Sequence, residues 1–317
     1  MVEAAEVAYD EYGEEEQKTF IDEPAILDKF KAAALITDNC LKKASELCVV
    51  GADIATICAT IDTMIEEEVK KTYASKKSKN LERGIAFPTC ISVNNVMGHY
   101  SPLLDESTQL ADGDVAKIMC GAHFDGYASN AATTVVVGDG PVTGRKADVV
   151  LAAWNAFQAA QRRIGEATTN NDVTEVIQKV AEQFQCNAVE GVLSHKVKRH
   201  IIDGNDVIIN RATGTQQVAE FQFAPGDIIG LDVYVSSGEG KPREHEARCT
   251  VFKRELEQVY NLKMKSARAF FVEVNKRFPT LPFSIRAMQD QTAAKVGVRE
   301  CLNHDMLIPY PVLSEKQ

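Results

Sequence analysis

Residues 115–137 read as a β-ribbon shaped to carry paired ligands, with the ligand side chains exchanged. Asp125-Gly126 is a type I′ turn signal between two alternating runs, VAKIMCGAH (115–123) and YASNAATTVVV (127–137), so the two runs are predicted to form a hairpin. A two-residue loop sets Gly121 opposite Asn130, which places Met119 and Asn130 diagonally on one face of the ribbon. Two aspartates so placed could share a pair of divalent cations and activate water for hydrolysis. Met119 offers a thioether and Asn130 a neutral amide, so neither brings the charge that holds a hard cation.

The other reactive side chains assemble no second chemistry. Cys90 and Cys120 are isolated thiols without an arranged base, which argues against a thiol hydrolase. His123 and Asp125 flank the turn and are read as serving it. The eight cysteines (40, 48, 58, 90, 120, 186, 249 and 301) form no CxxC pair, and Cys40, Cys48 and Cys58 fall on apolar helical positions. That usage predicts a reduced, intracellular protein.

These residues must be positioned by a chain of 317 residues with ordinary globular composition, 45% apolar and 25% charged. No run reaches transmembrane length, and no membrane role is expected. The net charge of −10 is concentrated: residues 1–23 hold nine acids and one lysine, leaving −2 for residues 24–317. Residues 1–20 are predicted to be an acidic disordered leader, and residues 21–317 a single domain.

Pro24 suits the first turn of a helix whose apolar positions run to Cys48, with an end near Gly51, and Asp53 is placed to cap a second helix. That helix ends in Lys70 and Lys71, and the lysines at 76, 77 and 79 spill into a loop. A third helix (about 145–164) is predicted to bury Val149, Ala153, Trp154, Phe157 and Ile164. Asp172 and Glu175 suggest a capping box for a fourth. Residues 189–252 read as strands and turns, including a strand from Ile228 to Val235. A basic helix over 262–278 would turn Met264, Ala267, Phe271 and Val274 inward, and a last helix covers about 284–302. The sum is an α+β chain in which a helix pair precedes antiparallel strands twice.

The blocks GIAFPTCISVNN (84–95), HYSPL (99–103), GDVAKI (113–118), GAHFDG (121–126) and NAATT (130–134) resemble the creatinase/aminopeptidase superfamily. Within it the resemblance is to relatives of the type 2 methionine aminopeptidases, the proliferation-associated, ErbB-receptor-binding family of peptidase family M24. It implies a pita-bread fold, pseudo-twofold αβ halves around a curved antiparallel sheet. Active relatives use two aspartates, a histidine and two glutamates as metal ligands. By motif Met119 and Asn130 take the aspartate positions, His195 in GVLSH the histidine, and Asp232 the first glutamate, one methylene short. The second glutamate, the family's last strands and its basic tail have no counterpart here, which predicts an open sheet edge. No metal or other cofactor is expected, and no catalytic residue is assigned.

His99 matches a histidine beside the substrate in active relatives, and Phe87 and His99 are read as pocket walls. His200, five residues after His195, is off the spacing of the second pocket histidine. The resemblance implies a non-catalytic adaptor for RNA or ribosomes and for proteins, acting in ribosome biogenesis, translation or growth control, in the cytoplasm and in the nucleus or nucleolus. Candidate RNA contacts are Lys196, Lys198, Arg199 and His200, with Lys253, Arg254, Lys263, Lys265 and Arg268. Two alternatives stand beside it: a metal-dependent methionine aminopeptidase, and a peptide- or partner-binding cleft without RNA. A small-molecule substrate is not expected, and the oligomeric state is not readable.

Overall fold

The structure is a computed structural model that describes residues 23–74, 80–214, 216 and 218–316. The acidic leader and the loop lysines 76, 77 and 79 lie outside the described residues.

Helix α1 (Pro24–Leu47) starts on its proline and buries Ile26, Ala33, Ile36, Thr37, Cys40, Leu41 and Ala44, a stripe at helical spacing. It stops short of Gly51, because the Cys48 N–H closes the last turn onto Ala44 and Ser45. Helix α2 (Ile54–Lys71) is capped by Asp53, whose carboxylate accepts the Thr56 N–H at 2.8 Å. Both pack on one face of an antiparallel sheet ordered β1 (Arg83–Val93), β3 (Val115–Phe124), β4 (Tyr127–Val136). A short β2 (Val96–Gly98) lies between β1 and β3 in the chain. Ala116, Ile118, Cys120, Ala122 and Phe124 meet the helices, which leaves Lys117, Met119, Gly121 and His123 on the opposite face. Gly121 pairs with Asn130 and Met119 with Ala132, the anticipated register. Both turn residues take positive φ, 56° at Asp125 and 78° at Gly126, as a type I′ turn requires.

The second half repeats the order. Helices α3 (Gly144–Arg163) and α4 (Asn170–Gln183) precede β5 (Asn187–Ala188), β6 (Leu193–Lys196), β7 (Val207–Ile209), β8 (Ile229–Gly230) and β9 (Val235–Ser236). Helix α3 departs from the large-residue face predicted for it. It buries Ala152, Ala156 and Ala160, a stripe at i, i+4, i+8 that lets α4 approach closely, while Trp154 is 61% exposed. Val149, Ala153, Phe157 and Ile164 are only partly buried. The capping box of α4 is Thr169 with Asp172, one turn earlier than the Asp172/Glu175 pattern, because the Thr169 hydroxyl and the Asp172 carboxylate exchange bonds with each other's backbone. The predicted strand 228–235 pairs only at its ends. Between β8 and β9, the Ser194 hydroxyl takes the ladder's place, accepting from Asp232 N and donating to Asp232 O.

A third core forms around β10 (Arg243–Glu244), β11 (Val251–Arg254), α5 (Lys265–Arg277), β12 (Phe283–Ser284), α6 (Gln291–Leu302), β13 (Leu307–Tyr310) and β14 (Leu313–Ser314). Helix α5 turns Ala267, Phe270 and Val274 inward. Met264 is its exposed N-cap, and Phe271 is half-buried. The last helix starts at Gln291 under an Asp290 cap, since a 3-10 turn (Ile285–Ala287) interrupts the predicted run from 284. Arg286 in that turn reaches Asp62 of α2 at 2.5 Å and Ser101 Oγ at 3.0 Å, tying this core to the first sheet.

Candidate functional site

The ribbon face that could have held ligands is partly covered: Lys117, Met119 and Asn130 are half-buried and Ala132 is exposed. Met119 lies against a small apolar cluster containing Phe87, Cys90 and Val251, with Tyr310 beside it. Asn130 folds over its cross-strand partner: a methyl group on Gly121 would sit 1.8 Å from Asn130 Oδ1. That oxygen is buried and, among the described residues, has no hydrogen-bond donor. The alternating pattern set Gly121 opposite Asn130 but did not point to this overlap.

A cavity with room for about one water lies beside Met119, lined by Cys90, Ser92, Met97, His99, Lys117, Met119, Ala132 and Tyr234. Of the residues singled out for the site, it brings Met119 and His99 together. Phe87 stands behind His99 at 5.9 Å between ring centroids, and Tyr310 meets both edge-on, at 5.3 and 5.5 Å. His99 sits in the left-handed region at φ 64°, with Nδ1 3.1 Å from Pro311 O. Burial lowers its pKa, so the ring is neutral at physiological pH. Tyr310 escaped the sequence reading although it completes the aromatic wall; the only signal was its place in the IPYPVL run.

Asn130, His195 and Asp232 do not line this cavity. His195 donates from Nδ1 to Gly204 O at 2.9 Å, which leaves Nε2 as the acceptor. The Asp232 carboxyl is pushed up to about 7 by burial, with no cation to offset it. Lys117 stands on the same ribbon face two residues from Met119, and its Nζ donates to Asn94 O at 2.6 Å. Burial brings it down to about 8, so it is still mainly a cation at neutral pH. A dinuclear hydrolase needs ionised carboxylates on this face. The face instead carries a thioether, an amide and an ammonium group, a donor set that does not fit two divalent cations. Among the described residues, no three His, Cys, Asp or Glu side chains stand close enough to hold one.

The candidate RNA-binding cations fall into two classes. Lys196 pairs with Asp227 at 2.6 Å, Lys253 with Asp203 at 2.5 Å, and Arg199 with Asp125 at 2.7 Å. Asp125 also takes Lys29 from α1 at 2.7 Å, so it holds two cations as well as shaping the turn, and these partners lower its pKa against burial. Arg254 lies over the Phe271 ring with its Nε buried. His200 bonds Thr280 Oγ1 at 3.0 Å, and His123 accepts the Gly126 N–H. Lys198, Lys263, Lys265 and Arg268 make no ion pair among the described residues, although Arg268 donates to the Leu262 and Lys263 carbonyls. Lys276, not among the candidates named from sequence, is also exposed and makes no ion pair among the described residues.

The profile of metallopeptidase family M24 matches residues 28–247. The chain is 41% identical over 303 residues to ErbB-3 binding protein 1 of Solanum tuberosum, covering 95% of this chain and 78% of that protein. It is 38% identical over 299 residues to the curved DNA-binding protein of Schizosaccharomyces pombe, covering 92% and 77%. The structure of a thermophilic Arx1 superposes with a TM-score of 0.85 at 30% identity, covering 93% of this chain and 85% of that one.

Proposed function

The chain belongs to metallopeptidase family M24, in the branch of ErbB-3 binding protein 1 and with the pita-bread fold, and from that premise we propose that it is a non-catalytic adaptor that uses the peptidase shell to bind RNA and ribosomes. The observation that supports this reading is the donor set on the ribbon: Met119 and Asn130, diagonal neighbours across the ladder, carry no charge, with Met119 in apolar packing and Lys117 on the same face. A shell without its metal ligands still offers a rigid surface.

The surface best suited to a polyanion is α5. Its outward stripe, Lys265, Arg268, Val272 and Lys276, is exposed, and Lys263 precedes it. Lysine and arginine in the first turn oppose the helix dipole, so these cations are placed against the helix's own electrostatic interest. Lys196, Arg199 and Lys253 are neutralised by carboxylates and belong to the ion-pair framework. The name of the fission-yeast relative, a DNA-binding protein, agrees with a nucleic-acid ligand for this chain. Cytoplasmic and nuclear or nucleolar residence and protein partners go with the same proposal.

Fluorescence anisotropy with a labelled single-stranded RNA, titrated at several salt concentrations, tests it. The substitutions K263Q, K265Q and K276Q together should weaken binding and flatten the slope of log K against log salt by about 2. An unchanged slope removes α5 from the interface. Methionine release from a short peptide with added cobalt or manganese would return the chain to the aminopeptidases.

A further inference from the structure

The chain carries its own polyanion. Residues 3–16 hold seven acids (Glu3, Glu6, Asp10, Glu11, Glu14, Glu15 and Glu16) and no base. We propose that this segment of the same chain lies across the cationic stripe of α5 and competes there with RNA. The proposal rests on the reading of α5 as the RNA surface and adds its regulation.

Three observations lead to this occupant. The first is charge: Lys263, Lys265 and Lys276 are exposed and unpaired among the described residues. On the helix itself, Glu273 is turned onto Arg277. The Glu300 carboxylate accepts the Lys263 and Met264 N–H groups and so faces the helix start. The second is surface chemistry. Met264 is 45% and Val272 66% exposed among these cations, an apolar interruption that a phosphate backbone does not need. A peptide with Val7, Tyr9 and Tyr12 set between its acids supplies apolar groups as well as charge.

The third is reach. The described chain begins just before α1, whose Lys29 bonds Asp125; Arg199 bonds the same carboxylate. The next residue, His200, bonds Thr280, three residues past the end of α5. The start of α1 and the end of α5 are therefore linked through three side-chain contacts. Twenty-two residues extend to roughly 70 Å, and a compact chain of this length is roughly 50 Å across. The stripe from Lys265 to Lys276 is only about 16 Å long.

The effect is that of a tethered competitor, screened by salt. The test uses the full chain with the seven acids changed to their amides (E3Q, E6Q, D10N, E11Q, E14Q, E15Q, E16Q), measured against the parent with a labelled oligouridine. The amide variant should bind roughly 3- to 10-fold more tightly at low salt. The gain should vanish near 0.5 M salt and in the K263Q/K265Q/K276Q background. Carbodiimide cross-linking of the parent should join leader carboxylates to Lys263, Lys265 or Lys276. If the lysine substitutions weaken RNA binding and the amide variant equals the parent, the leader proposal falls while the RNA reading stands. If neither protein binds RNA, the cross-links decide alone: links to α5 keep the intramolecular contact, and their absence, or links mapping elsewhere, overturns it.

Discussion

Asn130 lays its side-chain amide over Gly121, its cross-strand partner, so closely that a methyl group on Gly121 would stand 1.8 Å from the amide oxygen and 3.0 Å from the Ser129 carbonyl. The overlap leaves the amide oxygen buried and, among the described residues, without a donor. Gly121→Ala is expected to lower unfolding stability by about 1–3 kcal/mol through overpacking. Gly121→Ala with Asn130→Ala removes the obstructing amide and should recover most of it. Urea melts of the three proteins measure this, and equal losses in the single and double variants would mean that the amide is not the obstacle.

Removal of metal should leave the fold untouched. Protein purified without chelator and then treated with EDTA is expected to keep its melting temperature within ~1 °C, because a ligand that does not bind contributes no linkage term. Titration with cobalt or manganese should show no saturable uptake. Two ions per chain would contradict the ligand assignment and restore the hydrolytic reading.

The pair Asp62–Arg286 joins α2 to the turn before α6, and both side chains are largely enclosed, at 6% exposure for Arg286 and 15% for Asp62. Asp62 also accepts the Thr89 N–H at 2.8 Å, so both sides of the contact are hydrogen-bonded. Arg286→Ala strands the carboxylate and should cost about 3–5 kcal/mol. Replacing both, with Asp62→Leu and Arg286→Met, should cost less than the single change. A double variant as damaged as the single one would show that packing, not the charge, sets the loss.

Asp232 makes stability depend on pH. Burial raises its folded pKa to about 7, above the unfolded value. At about pH 3 and below the carboxyl is protonated in both states and costs nothing. As pH rises toward 7 the unfolded chain releases the proton and the folded chain keeps it, so stability falls, and the full cost is present above pH 7. Asp232→Asn should therefore stabilise the protein by ~4 kcal/mol at pH 8 and leave it unchanged at about pH 3. Chemical denaturation at the two pH values reads the difference, and an equal effect at both assigns the change to packing.

Exposure of the one tryptophan has a direct optical consequence. Trp154 stands 61% exposed on α3, so its emission should be water-like and readily quenched by iodide in the folded protein. Trp154→Ala should change stability by no more than about 0.5 kcal/mol. Blue-shifted, protected emission would mean that another surface covers this face in solution.

Much of this was legible in the residues because it is local. Asp125-Gly126 needs only the preference of a two-residue turn for positive φ, and that choice settles the register that sets Gly121 opposite Asn130 and Met119 diagonal to it. Pro24 and Asp53 act within one helical turn. The neutral character of Met119 and Asn130 is a statement about side-chain type, which needs no coordinates. The tertiary structure decided what depends on partners distant in the chain. Which face of α3 is buried follows from the close approach of α4, so alanines won over Trp154. Strand 228–235 lost the middle of its ladder to a serine hydroxyl nearly forty residues away. The division of the cations into paired framework and open surface turned on Asp125, Asp203 and Asp227, whose proximity no spacing encodes. Residue type and short-range geometry are written in sequence order, whereas packing, desolvation and ion pairing depend on distances that exist only once the chain has folded.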